Sequence, residues 1–236
     1  MNILAVGANP DDVEILCAGT LAVHAEQGDS IAIAYLTTGD KGAVDVSPET
    51  MAAIREREAR EAAAVIGASV HSLGLPDGEV EVSLALRRRL VTVIRRTRPD
   101  LIITHHHADY MSDHCATSQL VFDASFWAGV SSFAGEPDEA SDYTVRPKIL
   151  AMDTVGGIGF VPEEYVDISG VLDTKLEMLA CHKSQIGYMK ERDGFDMVDY
   201  VRTAARYRGY QCGVPYAEGF IPRRVFPSLT ARKALA

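Results

Sequence analysis

The chain has little of what marks several large protein classes. It has one tryptophan and four cysteines in 236 residues, and Cys17, Cys115, Cys181 and Cys212 are scattered with no Cys-x-x-Cys pair. A disulfide scaffold or zinc ribbon needs paired spacing, so these read as the reduced, structural thiols of a cytoplasmic protein. Basic residues are also scarce, 23 Lys and Arg against 33 Asp and Glu, for a net charge of -10. That balance excludes a broad nucleic-acid interface and docking on an anionic membrane. No apolar run approaches the ~20 residues of a membrane span. The opening residues MNILAVGANPDD carry no basic segment and meet a carboxylate at Asp11, unlike a secretory signal. A cytoplasmic location is the expectation.

What is there is ordinary globular composition, 47% hydrophobic and 24% charged, enough for one domain over residues 1–236 with an unaided core. Residues 2–8 and 31–37 read as buried strands. Residues 19–27 between them have helical spacing and end at Gly28. A long helix is expected over 47–66, with Ser47 as N-cap, Pro48 at the first position and Gly67 closing it. Strands follow at 70–74, 101–104 and 149–153, and helices at 84–96, 169–182 and 198–207. This alternation predicts an α/β fold of three layers, Rossmann-like, with a mainly parallel sheet between helices. Ligands in such sheets sit beyond the carboxyl ends of strands, which singles out the loops after Ala8, Thr37 and Thr104. The first lacks Gly-x-Gly-x-x-Gly and carries carboxylates that would repel a pyrophosphate, against a nicotinamide cofactor.

Two of those loops are rich in chemistry. Asn9-Pro10-Asp11-Asp12 follows the first strand. Adjacent carboxylates there can bind a metal ion and act as a general base, or serve only to cap the next helix. After the strand at 101–104 come Thr104-His105-His106-His107-Ala108-Asp109-Tyr110-Met111-Ser112-Asp113-His114, four of the chain's seven histidines with two aspartates among them. Imidazole and carboxylate are the usual zinc ligands, although a histidine-rich tract is by itself only a compositional signal.

Taken together, and in this order, these segments resemble the LmbE/PIG-L family of zinc-dependent N-acetylglucosaminyl deacetylases. The likeness runs through Gly19-Thr20-Leu21-Ala22, Thr37-Thr38-Gly39-Asp40-Lys41-Gly42, Ile54-Arg55-Glu56-Arg57-Glu58-Ala59 and Gly74-Leu75-Pro76-Asp77-Gly78. It continues through Tyr165-Val166-Asp167-Ile168-Ser169, His182-Lys183-Ser184-Gln185 and Tyr216-Ala217-Glu218-Gly219-Phe220. The resemblance implies Asp11 as general base, Asn9, Asp12 and His114 at the metal-ligand positions, and Arg55, Asp109 and Tyr110 as substrate-binding residues. It implies zinc as cofactor, an amino-sugar conjugate or other small amide as substrate, and a homo-oligomer.

The chain departs from the family pattern twice. Asn9 stands where the family has its first zinc-binding histidine, and Met111 where it has the histidine that stabilises the oxyanion and protonates the leaving amine. An amide oxygen is a weak zinc ligand and a thioether donates no proton. Asn9 with another, harder divalent ion, His107 or Asp109 as substitute ligand, and Tyr110 or His105 as donor to the oxyanion are the conceivable repairs. The leading expectation is a metal-dependent hydrolase removing an N-acetyl group. The rival is a catalytically impaired member that binds a sugar or other small ligand. Specificity is assigned to the acidic excursion at 136–142 and to the C-terminal segment, and residues 126–133 offer a contact patch or the end of a core helix.

Overall fold

The computed structural model describes residues 1–43, 45–136 and 142–225. Most of the 136–142 excursion therefore lies outside the described residues. Seven strands form one sheet: β1 (Asn2–Gly7), β2 (Ser30–Thr37), β3 (Ser69–Leu75), β4 (Leu101–Thr104), β5 (Lys148–Met152), β6 (Glu164–Asp167) and β7 (Ala217–Pro222). Their order is β3-β2-β1-β4-β5-β7-β6. The first five strands in chain order pair in parallel, while β7 runs antiparallel to both β5 and β6. The expected mainly parallel sheet is present.

Alternation along the central strands explains why both faces are covered. Ile3 and Ala5 of β1, Ile31, Ile33 and Tyr35 of β2, and Leu101 and Ile103 of β4 point into one apolar layer. The residues between them, Leu4, Val6, Ala32, Ala34, Leu36 and Ile102, point into the other. A strand buried on both faces must be apolar at nearly every position, and these are. The first layer is closed by α1 (Asp12–Leu16), α2 (Ala18–Glu26), α3 (Pro48–Val65) and α6 (Leu172–Ala180). The second is closed by α4 (Leu84–Thr97) and α5 (Ser112–Ala128). A smaller cluster joins α2 and α6 to α8 (Met197–Cys212).

Local signals set most boundaries. Ser47 caps α3 by accepting the Thr50 N–H at 3.3 Å, with Pro48 in the first turn. The helix expected over 169–182 is shorter, because the chain turns at Cys181–His182 and restarts as α7 (Lys183–Asp193). Most of α5 escapes a periodicity reading, since its buried face carries Asp113, His114, Thr117, Ser118 and Ser125. Among the described residues no helix is long and apolar enough to cross a membrane.

Candidate active site

β1 and β4 are neighbours, with Val6 paired to Thr104, so the two loops rich in His and Asp leave the sheet side by side. The first runs straight into α1, which places Asp12 at that helix's start; the second runs into α5, which carries His114 in its first turn. Asp12, His105 and His114 meet there, 5%, 0% and 1% exposed. Asp12 Oδ2 lies 3.1 Å from His105 Nε2, and Asp12 Oδ1 lies 3.4 Å from His114 Nε2. The two imidazoles stack with centroids 3.8 Å apart. The three ligand atoms fall within 4.8 Å of one another. Donors each about 2 Å from one ion in tetrahedral array stand a little over 3 Å apart, so this spacing fits a shared cation.

The hydrogen bonds around the cluster point the same way. His114 Nδ1 lies 3.0 Å from Asp109 Oδ2, whose Oδ1 accepts the Met111 backbone N–H at 3.0 Å. That leaves His114 Nε2 buried with no hydrogen-bond partner, and Asn9 Oδ1 is orphaned likewise. Buried polar atoms are almost always paired; an orphaned imidazole nitrogen 3.4 Å from the Asp12 carboxylate suits a metal ion. His105 Nε2 accepts the Ala8 N–H at 2.9 Å, so its contact with Asp12 sets two acceptors against each other. Ligating a cation through Nε2 would use the same single lone pair, so His105 would exchange its Ala8 bond for the ion. Asn9 donates its backbone N–H to Asp12 Oδ2 at 2.6 Å and its side-chain amide to Asp77 Oδ1.

Charge follows geometry. Burial raises the Asp12 pKa, but the His114 and His105 rings beside it outweigh burial and hold it well below the usual carboxylate range. Burial lowers the His114 pKa, and the Asp12 and Asp109 carboxylates overcome this to raise it to about 10. The pocket therefore favours positive charge.

Asp11 sits one residue away, 8% exposed and with φ of 113°, a conformation rare outside glycine. Burial, joined by the Asp12 charge and opposed by Arg55, raises its pKa to about 6. Arg55, in the middle of α3, is 3% exposed, and its Nη2 lies 2.9 Å from Asp11 Oδ2.

Of the residues expected at the site, Asn9, Asp11, Asp12, Arg55, Asp109 and His114 thus converge. Tyr110 is 62% exposed and Met111 37%; His107 is exposed and outside the cluster. Asp40 accepts the Asp77 backbone N–H at 2.7 Å, tying the loop after β2 to the loop after β3. The sequence reading missed His105 as a candidate ligand; its place directly after a strand neighbouring β1 was the available signal. It also missed Glu14, fully buried, which accepts the Tyr35 hydroxyl at 2.9 Å and lies 3.4 Å from His182.

The fold and this site define a member of a known hydrolase group. The chain belongs to the PIG-L family, matching the GlcNAc-PI de-N-acetylase description over residues 4–125. It is 30% identical to the diacetylchitobiose deacetylase of Thermococcus kodakarensis, across 93% of this chain and 83% of that protein. It is 25% identical to the 4-oxalmesaconate hydratase of Pseudomonas putida, across 98% of this chain and 92% of that one. Among solved structures, the N,N'-diacetylchitobiose deacetylase from Pyrococcus horikoshii superposes with a TM-score of 0.82 at 26% identity, covering 93% of this chain and 82% of that one.

Proposed function

We propose that this chain is a metal-dependent hydrolase that removes the acetyl group from an N-acetylglucosamine-type amide. The observation that carries this reading is Asp11, a buried carboxylate with its pKa raised to about 6, held beside the Asp12, His105 and His114 cluster. A divalent ion held by Asp12, His105 and His114, with the Asn9 amide oxygen as a further donor, would polarise the amide carbonyl and acidify water there. Zinc suits the imidazole-rich set, and the oxygen donors Asn9 and Asp12 also admit a harder ion.

Asp11 then acts as general base. It removes a proton as the water oxygen bonds to the carbonyl carbon, and returns that proton to nitrogen as the C–N bond breaks. Acetate and a free amine leave. Met111 holds no proton to donate, so Asp11 carries both transfers in this chain. Asp109 keeps the His114 ring oriented, as carboxylates behind ligating histidines commonly do. Tyr110, exposed at the end of the same loop, is the residue proposed to meet the sugar.

A second reading has one observation of its own. The Pseudomonas putida relative, alignable across 98% of this chain, is named a hydratase, and water addition to an unsaturated acid needs the same base and the same polarising ion. The test is to incubate metal-loaded protein with N-acetylglucosamine, N,N'-diacetylchitobiose and an unsaturated dicarboxylate. Acetate release supports the deacetylase; loss of ultraviolet absorbance by the acid supports the hydratase. Binding of a sugar without either product would support the ligand-binding rival instead. A cytoplasmic location fits the four free thiols, and a homo-oligomer remains part of the proposal, to be read by sedimentation.

A further inference from the structure

We infer that Arg55 is a positioning residue which clamps the Asp11 carboxylate and its left-handed backbone, an inference that rests on the base role proposed for Asp11. Three segments of the chain meet in this device. Asp11 belongs to the loop after β1, Gly39 to the loop after β2, and Arg55 to the middle of α3. Arg55 Nη2 donates to the Pro10 carbonyl and lies 2.9 Å from Asp11 Oδ2, while Nη1 donates to the Gly39 carbonyl at 3.4 Å.

The Pro10 carbonyl and the Asp11 carboxylate stand on opposite sides of the Asp11 N–Cα bond. Gripping both with one planar guanidinium restricts rotation about that bond, which is the angle φ. Asp11 needs such restraint, since φ of 113° is a strained conformation that a non-glycine residue keeps only where its surroundings hold it there. The other end of the residue is tied as well, because the Asp11 carbonyl accepts the Ile15 N–H at 2.9 Å.

Gly39 makes room for the guanidinium. A Cβ built there would lie 2.5 Å from Arg55 Nη1 and 2.7 Å from Cζ, and the residue has φ of 64°. Glycine at this position is therefore explained by Arg55 as well as by its own turn. Arg55 is buried, and its two terminal nitrogens are taken up by two carbonyls and one carboxylate, while Nε has no hydrogen-bond partner among the described residues.

The experiment is steady-state acetate release from N,N'-diacetylchitobiose by the metal-loaded full chain and by Arg55→Met, Arg55→Lys and Gly39→Ala variants. Clamping predicts that Arg55→Met lowers kcat by about 10- to 100-fold, the cost of a base displaced by about 1 Å, with KM changed less than about twofold. Arg55→Lys recovers part of the loss, since an ammonium can still reach one acceptor. Gly39→Ala lowers kcat in the same way, and in the Arg55→Met background it costs only what the positive φ of Gly39 itself demands, less than the two single losses combined. A raised KM with unchanged kcat in Arg55→Met would overturn the inference in favour of a substrate contact, and so would additive losses. Should the unaltered protein release no acetate, the deacetylase reading fails by itself and the crystal structure of Arg55→Met decides. Asp11 leaving positive φ supports the clamp, and Asp11 unmoved refutes it.

Discussion

The Asp109 carboxylate lies 3.0 Å from Nδ1 of His114 and leaves the opposite ring nitrogen buried, facing Asp12 and without a hydrogen-bond partner. One side of the imidazole is thus committed and the other is presented to the centre of the cluster. If a metal ion occupies that centre, Asp109→Ala should weaken its binding by roughly 10- to 100-fold, the usual effect of removing such a partner. Calorimetric titration of metal-stripped protein with zinc measures this, and unchanged affinity would remove Asp109 from the account.

Asn9 provides a second handle on the same centre. Its amide nitrogen is bonded to Asp77, while its oxygen is orphaned. Replacing this weak donor by imidazole in Asn9→His should tighten zinc by at least about tenfold, or ~1.4 kcal/mol. If the unaltered protein already binds zinc one-to-one and the substitution adds nothing, His105 has taken over the missing position.

Asp11 should leave a signature in stability. Burial raises its pKa from 3.8 in the unfolded chain to about 6 in the fold, so the folded state holds a proton that the unfolded state has released between those values. The resulting stabilisation is fully present below pH 3.8 and is lost as pH rises through about 6. In chelator, the unfolding free energy of the unaltered protein should fall relative to Asp11→Asn by about 3 kcal/mol across that window. Urea titrations at pH 3.5 and pH 7 give the difference, and a gap that stays constant with pH would refute the burial argument.

Two helical glycines make opposite predictions. A Cβ at Gly209 in α8 would stand 2.5 Å from the Val214 carbonyl oxygen, whereas one at Gly187 in α7 meets nothing within 4 Å. Gly209→Ala should therefore destabilise by about 1–3 kcal/mol through overpacking. Gly187→Ala should stabilise by about 0.5–1 kcal/mol by reducing backbone freedom. Thermal melts of the two variants, run together, test the packing of α8 against the loop that enters β7.

Most of the parallel core was legible beforehand. A strand covered on both faces has to be continuously apolar, and residues 2–8, 31–37 and 101–104 announce themselves that way. The α3 start was equally plain, because Ser47 and Pro48 act through local backbone chemistry. β6 and β7 were not anticipated. Glu164–Asp167 alternates only partly buried residues, and Ala217–Pro222 contains Gly219 and ends on a proline, so each becomes a strand only through its partner in the sheet.

The same division runs through the site. Motif order identified the family, and the resemblance implied Asp11, Asp12 and His114 at one site; that β1 and β4 are neighbours, which brings their loops together, is a fact of the sheet. Sequence could not say that His105, the first residue beyond β4, turns inward to within 3.1 Å of Asp12, nor that Arg55 is buried with its Nη2 2.9 Å from Asp11 Oδ2. Those facts depend on how a strand end and a helix face are brought together across the sheet. Local chemistry wrote the elements and the candidate residues; packing chose which of their atoms face one another.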